Sequence, residues 1–96
     1  MKWLTPKFEE VQVSIAQQLV EGLGGPANIE ELEPCIVRIR ATVKDPAEVN
    51  EATIRNTNPL GVVSSGKYVQ IIVGKNSDHL VEEMQEIIRE LAVHAE

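Results

Sequence analysis

Cys35-Ile36-Val37-Arg38-Ile39-Arg40-Ala41-Thr42-Val43 is the stretch on which the reading of this chain turns. Apolar and polar residues alternate along it with the period of a half-buried strand. Read as one strand over residues 36–43, it sends Val37, Ile39, Ala41 and Val43 to one face. Arg38, Arg40 and Thr42 go to the other, with Cys35 at the strand's entrance. The only cysteine of the chain then stands beside two guanidinium groups, and the apolar face requires a second layer to cover it.

On the N-terminal side, Asn28-Ile29-Glu30-Glu31-Leu32-Glu33 reads as an edge strand that can pair with this one. Pro34 has no N–H to give to a ladder and is placed in the turn between them. Earlier still, Phe8, Val11, Ile15, Ala16, Leu19, Val20 and Leu23 make a helical stripe over residues 6–23, stopped by Gly24-Gly25-Pro26. Thr5-Pro6 suits a helix start, but Ser14-Ile15-Ala16-Gln17 also fits a capping box. Residues 1–13 are therefore read as an N-terminal arm or a helix extension, with a break near Ser14.

On the C-terminal side, Asp45-Pro46-Ala47-Glu48 predicts a short helix to about residue 56, packing Val49 and Ala52. Asn56-Thr57-Asn58-Pro59 is a loop. Residues 60–64 and 67–73 form two strands joined by a tight turn at Ser65-Gly66. Ser77 is placed as the cap of a last helix whose stripe is Leu80, Val81, Met84, Ile87, Ile88, Leu91 and Ala92. Glu82, Glu83, Glu86 and Glu90 fall on its wet side. The order helix-strand-strand-helix-strand-strand-helix predicts an α+β domain over residues 14–96. Its sheet is four-stranded and antiparallel, with three helices on one face and the other face open to water.

Composition narrows the function. The 96 residues are 43% hydrophobic, enough for one small core. Trp3, Phe8 and Tyr68 are the only aromatic residues, too few to stack on exposed bases, so nucleic-acid binding is not expected. No apolar run is long enough to span a membrane and no signal-peptide pattern opens the chain, which predicts a cytoplasmic protein. The net charge of -6 is uneven. Residues 1–33 carry two lysines against six glutamates, and residues 76–96 one arginine against six acids. Residues 34–75 hold Arg38, Arg40, Lys44, Arg55, Lys67 and Lys75 against only three acids. Positive potential confined to the cysteine segment suits a small anion better than a DNA backbone.

A lone cysteine makes neither an internal disulfide nor a multi-cysteine zinc site, and no metal or cofactor is expected. It is either a buried structural thiol or a functional one. Positive neighbours favour the thiolate, the nucleophilic form, and guanidinium groups match phosphate oxygens in paired hydrogen bonds. Turn N–H groups of Ile36 and Val37 can add donors. Hydrolysis by a thiol needs an adjacent base, yet the two histidines have no compelling spacing to Cys35: His79 reads as a solvated helix-start residue and His94 as a tail residue. A thiol flanked by arginines without such a base is suited to taking a phosphoryl group from a donor and holding it for an acceptor activated elsewhere.

Asn28-Ile29, Cys35-Ile36-Val37-Arg38-Ile39-Arg40, Asp45, Gly61-Val62-Val63 and Val69-Gln70-Ile71-Ile72-Val73-Gly74 together resemble the enzyme IIB domain of the glucose family of the bacterial phosphoenolpyruvate-dependent sugar phosphotransferase system. The likeness runs from about Ile15 to Leu91. It implies a phosphorelay: phosphohistidine of enzyme IIA gives its phosphoryl group to Cys35, and phosphocysteine gives it to a sugar held by the membrane enzyme IIC. Arg38 and Arg40 match the family's two arginines, implicated in transfer to sugar, and Gln70 matches a glutamine common in the family. The domain would act as a monomer, peripheral to the inner membrane through enzyme IIC. Val37 stands where the family has threonine and Ile39 where it has leucine. The first exchange removes a hydroxyl beside the nucleophile.

Other readings compete with the relay. The same domain could serve as a non-catalytic regulatory or interaction module, for which Val37 is the one sequence hint, or Cys35 could be a redox-sensing thiol. A cysteine near a strand is most often a small buried hydrophobe, and Gln70 most simply an outward-facing structural residue. Ile36, Tyr68 and Ile72 offer an apolar rim for partners around the thiol.

Overall fold

A computed structural model describes residues 14–95, with side chains over residues 14–91. The predicted arm or helix extension over residues 1–13 lies outside the described residues, as does the side chain of His94. Helix α1 spans Ile15–Gly22. Ser14 is its N-cap, with extended dihedrals and an Oγ that accepts the Gln17 N–H at 3.1 Å. The break expected near Ser14 is thus a true helix start.

Four strands follow: β1 Ile29–Cys35, β2 Arg38–Val43, β3 Gly61–Ser65 and β4 Tyr68–Ile72. Their order in the sheet is β1-β2-β4-β3 and every pairing is antiparallel. Two hairpins therefore meet through β2 and β4, and β1 and β3 are the edges. Pro34 lies inside β1, opposite Ile39, rather than in the turn expected for it. An edge strand has one unpaired side, which is where a residue without an N–H is tolerated. The second hairpin turns at Gly66-Lys67, since Ser65 already pairs with Tyr68. Gly66 has φ 59°, the left-handed region open to glycine.

The predicted helix after Asp45 is divided. Asp45 caps a 3-10 turn at Pro46–Glu48, and Asn50 caps a separate helix α2, Glu51–Arg55. The cause is tertiary: the Asn50 N–H donates to Gly22 O at 2.7 Å, so it is not available to continue a helix from Pro46. A Cβ on Gly22 would stand 2.5 Å from Ile54 Cγ1, so glycine sets how closely α1 and α2 approach. Helix α3 spans Ser77–Ala95. His79 is exposed on its first turn, 3.1 Å from Glu83.

The core lies between one sheet face and the helices. Ile39, Ala41 and Val43 of β2 and Val69 and Ile71 of β4 are buried with Leu19, Val20 and Leu23, with Ile54, and with Val81 and Met84. Leu91 at the far end of the α3 stripe is 46% exposed, so the stripe is longer than the sheet it covers. Asn28, 6% exposed, ties the layers together. Its amide donates to Leu23 O at 2.8 Å and Asp45 O at 3.1 Å, and its Oδ1 accepts the Asp45 N–H at 2.9 Å.

Candidate functional site

Alternation along β2 holds from Arg38 onward. Ile39, Ala41 and Val43 are buried, while Arg38 and Arg40 are exposed on the face without helices. The strand does not begin at residue 36, however. Ile36 and Val37 are the two turn residues of the first hairpin, and Cys35 ends β1 opposite Arg38. Val37, expected on the helix-facing side of a strand, is instead a turn residue with 37% exposure.

The turn decides where the thiol points. Residues 35 and 38 would lie on opposite faces of one continuous strand, because side chains alternate. Directly opposed residues of an antiparallel pair share a face, so reversal over two residues puts Cys35 on the arginine face. Three rows cross this open face. Cys35, Arg38, Ile72 and Gly61 form the row at the hairpin tip; Glu33, Arg40, Gln70 and Val63 the next; Glu31, Thr42, Tyr68 and Ser65 the third. Gln70 sits diagonally from Arg38 and accepts its Nη1–H at 2.8 Å. Arg40 lies between Glu33 and Gln70 and makes no ion pair among the described residues. A shallow depression of about 470 Å³ begins at Arg40 and Glu33 and runs to Ser65 and Tyr68.

Cys35 is half-buried and takes part in no disulfide. Ile36 is 82% exposed at the tip, with Tyr68 at 62% and Ile72 half-buried on the same face. The strands place no histidine on this face. The described residues hold no group of three or more side chains able to bind a metal ion. The face therefore offers one thiol, two forked cations and an amide oriented by one of them, with the carboxylates of Glu33 and Glu31 in the rows behind the thiol. Such a surface can bind a small tetrahedral anion next to sulfur.

No local pattern signals what holds the turn. Ile36 has φ 59°, a left-handed conformation rare for a β-branched residue. Ser77, expected as the cap of α3, is its first helical residue, and its fully buried hydroxyl donates to Ile36 O at 2.7 Å. Val37 O accepts two N–H groups, from Val73 at 2.9 Å and Gly74 at 3.0 Å. Gly74 has φ 88°, a left-handed value open to glycine, and the chain leaves the sheet there. These contacts join residues up to 41 positions apart, beyond any periodicity.

Fold and site together define a small antiparallel α+β domain with a thiol and two arginines at the tip of its edge hairpin. The family profile described as phosphotransferase system, EIIB matches residues 17–50. The chain is 41% identical over 75 residues to the N-acetylglucosamine-specific EIIB component of Streptomyces coelicolor, covering 78% of this chain and 97% of that one. It is 39% identical over 72 residues to the N-acetylglucosamine-specific EIICB component of Bacillus subtilis, 74% of this chain and 16% of that longer protein. One domain of the phosphotransferase-system IIabc component from Clostridium difficile superimposes with a TM-score of 0.64 at 29% identity, over 75% of this chain and 76% of that one. The chain belongs to the EIIB family of the sugar phosphotransferase system, and is a phosphotransferase component of its glucose-family type.

Proposed function

We propose that Cys35 is the phosphoryl carrier of this EIIB domain, loaded by a phosphohistidine on enzyme IIA and unloaded to a sugar held by the membrane enzyme IIC. The observation that carries this reading is the shared row: Cys35 lies directly opposite Arg38, on the face that also holds Arg40. In loading, the Cys35 thiolate attacks phosphorus, an S–P bond forms and the N–P bond breaks. The electron pair goes to the imidazole nitrogen of the donor. In unloading, a sugar hydroxyl oxygen attacks the same phosphorus, the S–P bond breaks and the thiolate is regenerated. The hydroxyl proton goes to a base of enzyme IIC, since the row of Cys35, Arg38, Ile72 and Gly61 carries neither histidine nor carboxylate. Arg38 and Arg40 bind the equatorial oxygens during both transfers, where charge is spread over three oxygens. Arg38 is held for this by Gln70.

The sugar we assign to the relay is N-acetylglucosamine, supported by the names of both relatives. The partnership with enzyme IIC is supported by the EIICB architecture of the Bacillus subtilis relative. No described helix is long and apolar enough to cross a membrane, so the domain would meet the membrane through that partner, on its cytoplasmic side.

The test is to combine the protein with phosphoenolpyruvate, enzyme I, the histidine carrier protein and enzyme IIA, and to weigh it by mass spectrometry. One phosphoryl group is expected on the wild type and none on Cys35→Ser. Absence of phosphorylation with several glucose-family donors would sink the carrier reading. Adding membranes that contain the cognate enzyme IIC should then consume the label with N-acetylglucosamine and not with glucose.

A further inference from the structure

Phosphoryl transfer at Cys35 requires acceptor-facing donors fixed next to the sulfur, and the Ile36–Val37 turn is the nearest backbone. Ile36 is in a conformation that an isolated β-branched residue avoids, so something must hold it there. Ser77 reaches the Ile36 carbonyl from the helix layer at 2.7 Å, and its side chain is fully buried. In a planar trans peptide the C=O and the following N–H point in opposite directions. Pulling Ile36 O toward α3 therefore turns the Val37 N–H toward the open face, where Cys35, Arg38 and Arg40 lie. Among the described residues nothing accepts that N–H. Val73 and Gly74 brace the next carbonyl, so the Ile36–Val37 peptide is held at both ends and cannot flip alone.

We propose that Ser77 is a positioning residue for the phosphoryl transfer: through its bond to Ile36 O it aims the Val37 N–H at an oxygen of the phosphoryl group on Cys35. This rests on the carrier reading of Cys35. Ser77 itself touches neither sulfur nor phosphorus. Its action is on the turn, and the strain at Ile36 supplies a way to separate that action from ordinary support of the fold. Glycine adopts φ 59° without help, so an Ile36→Gly chain depends less on the clamp.

The experiment follows two readouts in wild type, Ser77→Ala, Ile36→Gly and the double variant. One is the rate of phosphoryl uptake from phosphorylated enzyme IIA in a single turnover. The other is the Val37 amide proton resonance before and after phosphorylation. In wild type the resonance should move strongly downfield as the N–H gains a charged acceptor. In Ser77→Ala the displacement should shrink and uptake slow by about tenfold or more. The same serine change made on Ile36→Gly should cost markedly less. Wild-type uptake and an unchanged Val37 displacement in Ser77→Ala would overturn the inference. So would an equal loss on both backgrounds, the mark of mere structural support. A Val37 resonance in unmutated protein that stays in place on phosphorylation also overturns it, whatever the variants do. Failure of wild type to take up phosphoryl at all removes the carrier reading, and this inference with it.

Discussion

Replacing Ile36 by glycine should stabilise the domain, although it deletes a large apolar side chain. The two hairpins allow the magnitude to be worked out, because each begins its two-residue turn with φ 59°, one on Ile36 and the other on Gly66. A left-handed L-residue costs about 1–2 kcal/mol. Glycine removes that cost but gives back about 0.4–1 kcal/mol in unfolded-chain entropy. Ile36 is 82% exposed, so the burial forfeited is a small part of the ~1.5–3 kcal/mol of a fully buried side chain, about 0.4 kcal/mol. The net expectation is a gain of about 0.5 kcal/mol, or ~2–4 °C in a domain of this size. The reciprocal change isolates the backbone term. A Cβ on Gly66 would meet nothing within 4 Å, so Gly66→Ala should lose up to about 1 kcal/mol through φ alone. Urea denaturation with an unchanged m-value is the assay. If Ile36→Gly is destabilised, or Gly66→Ala loses nothing, the strain assigned to the first turn is wrong.

Arg38→Lys and Arg40→Lys should leave thermal stability nearly unchanged, since both side chains are exposed, yet slow transfer onward to sugar by about tenfold or more; full transfer in both variants would remove the guanidinium forks from the mechanism. Asn28→Ala strips partners from the buried Leu23 carbonyl and from the part-buried C=O and N–H of Asp45, and should cost about 1–3 kcal/mol in urea unfolding, with a loss under about 0.5 kcal/mol showing that water replaces the amide. Val37→Thr returns the hydroxyl usual in the resembled family to a turn whose carbonyl is already braced. The backbone should stay in place while phosphoryl uptake or release speeds up several-fold, and identical rates would mean that the hydroxyl has no part in either step.

Much of this was legible because local chemistry and tertiary structure agree. Ser14 caps α1 as its spacing to Gln17 implies, and the Leu80-Val81-Met84 stripe of α3 faces the sheet. The errors fall where a distant group competes for the same atom. Asn50 N–H is taken by Gly22, which divides the helix predicted from Asp45, and Ser77 stands inside the first turn of α3, where its hydroxyl hydrogen goes to Ile36 O. Pro34 was misplaced for a related reason. Its missing N–H argues for a turn, but the register, with Cys35 opposite Arg38, carries the ladder past Pro34 on an edge strand whose unpaired side tolerates it.

The sequence alone determined which side chains of β2 face water, because alternation from Arg38 to Val43 leaves a strand one choice of buried face. It also put the only cysteine within five residues of both arginines. What it could not decide was whether sulfur and guanidinium groups share a face. On a continuous strand residues 35 and 38 point apart, and the two-residue reversal at Ile36-Val37 brings them together. That reversal depends on a left-handed isoleucine, which local preference opposes and which is held by Ser77, Val73 and Gly74 from the far end of the chain.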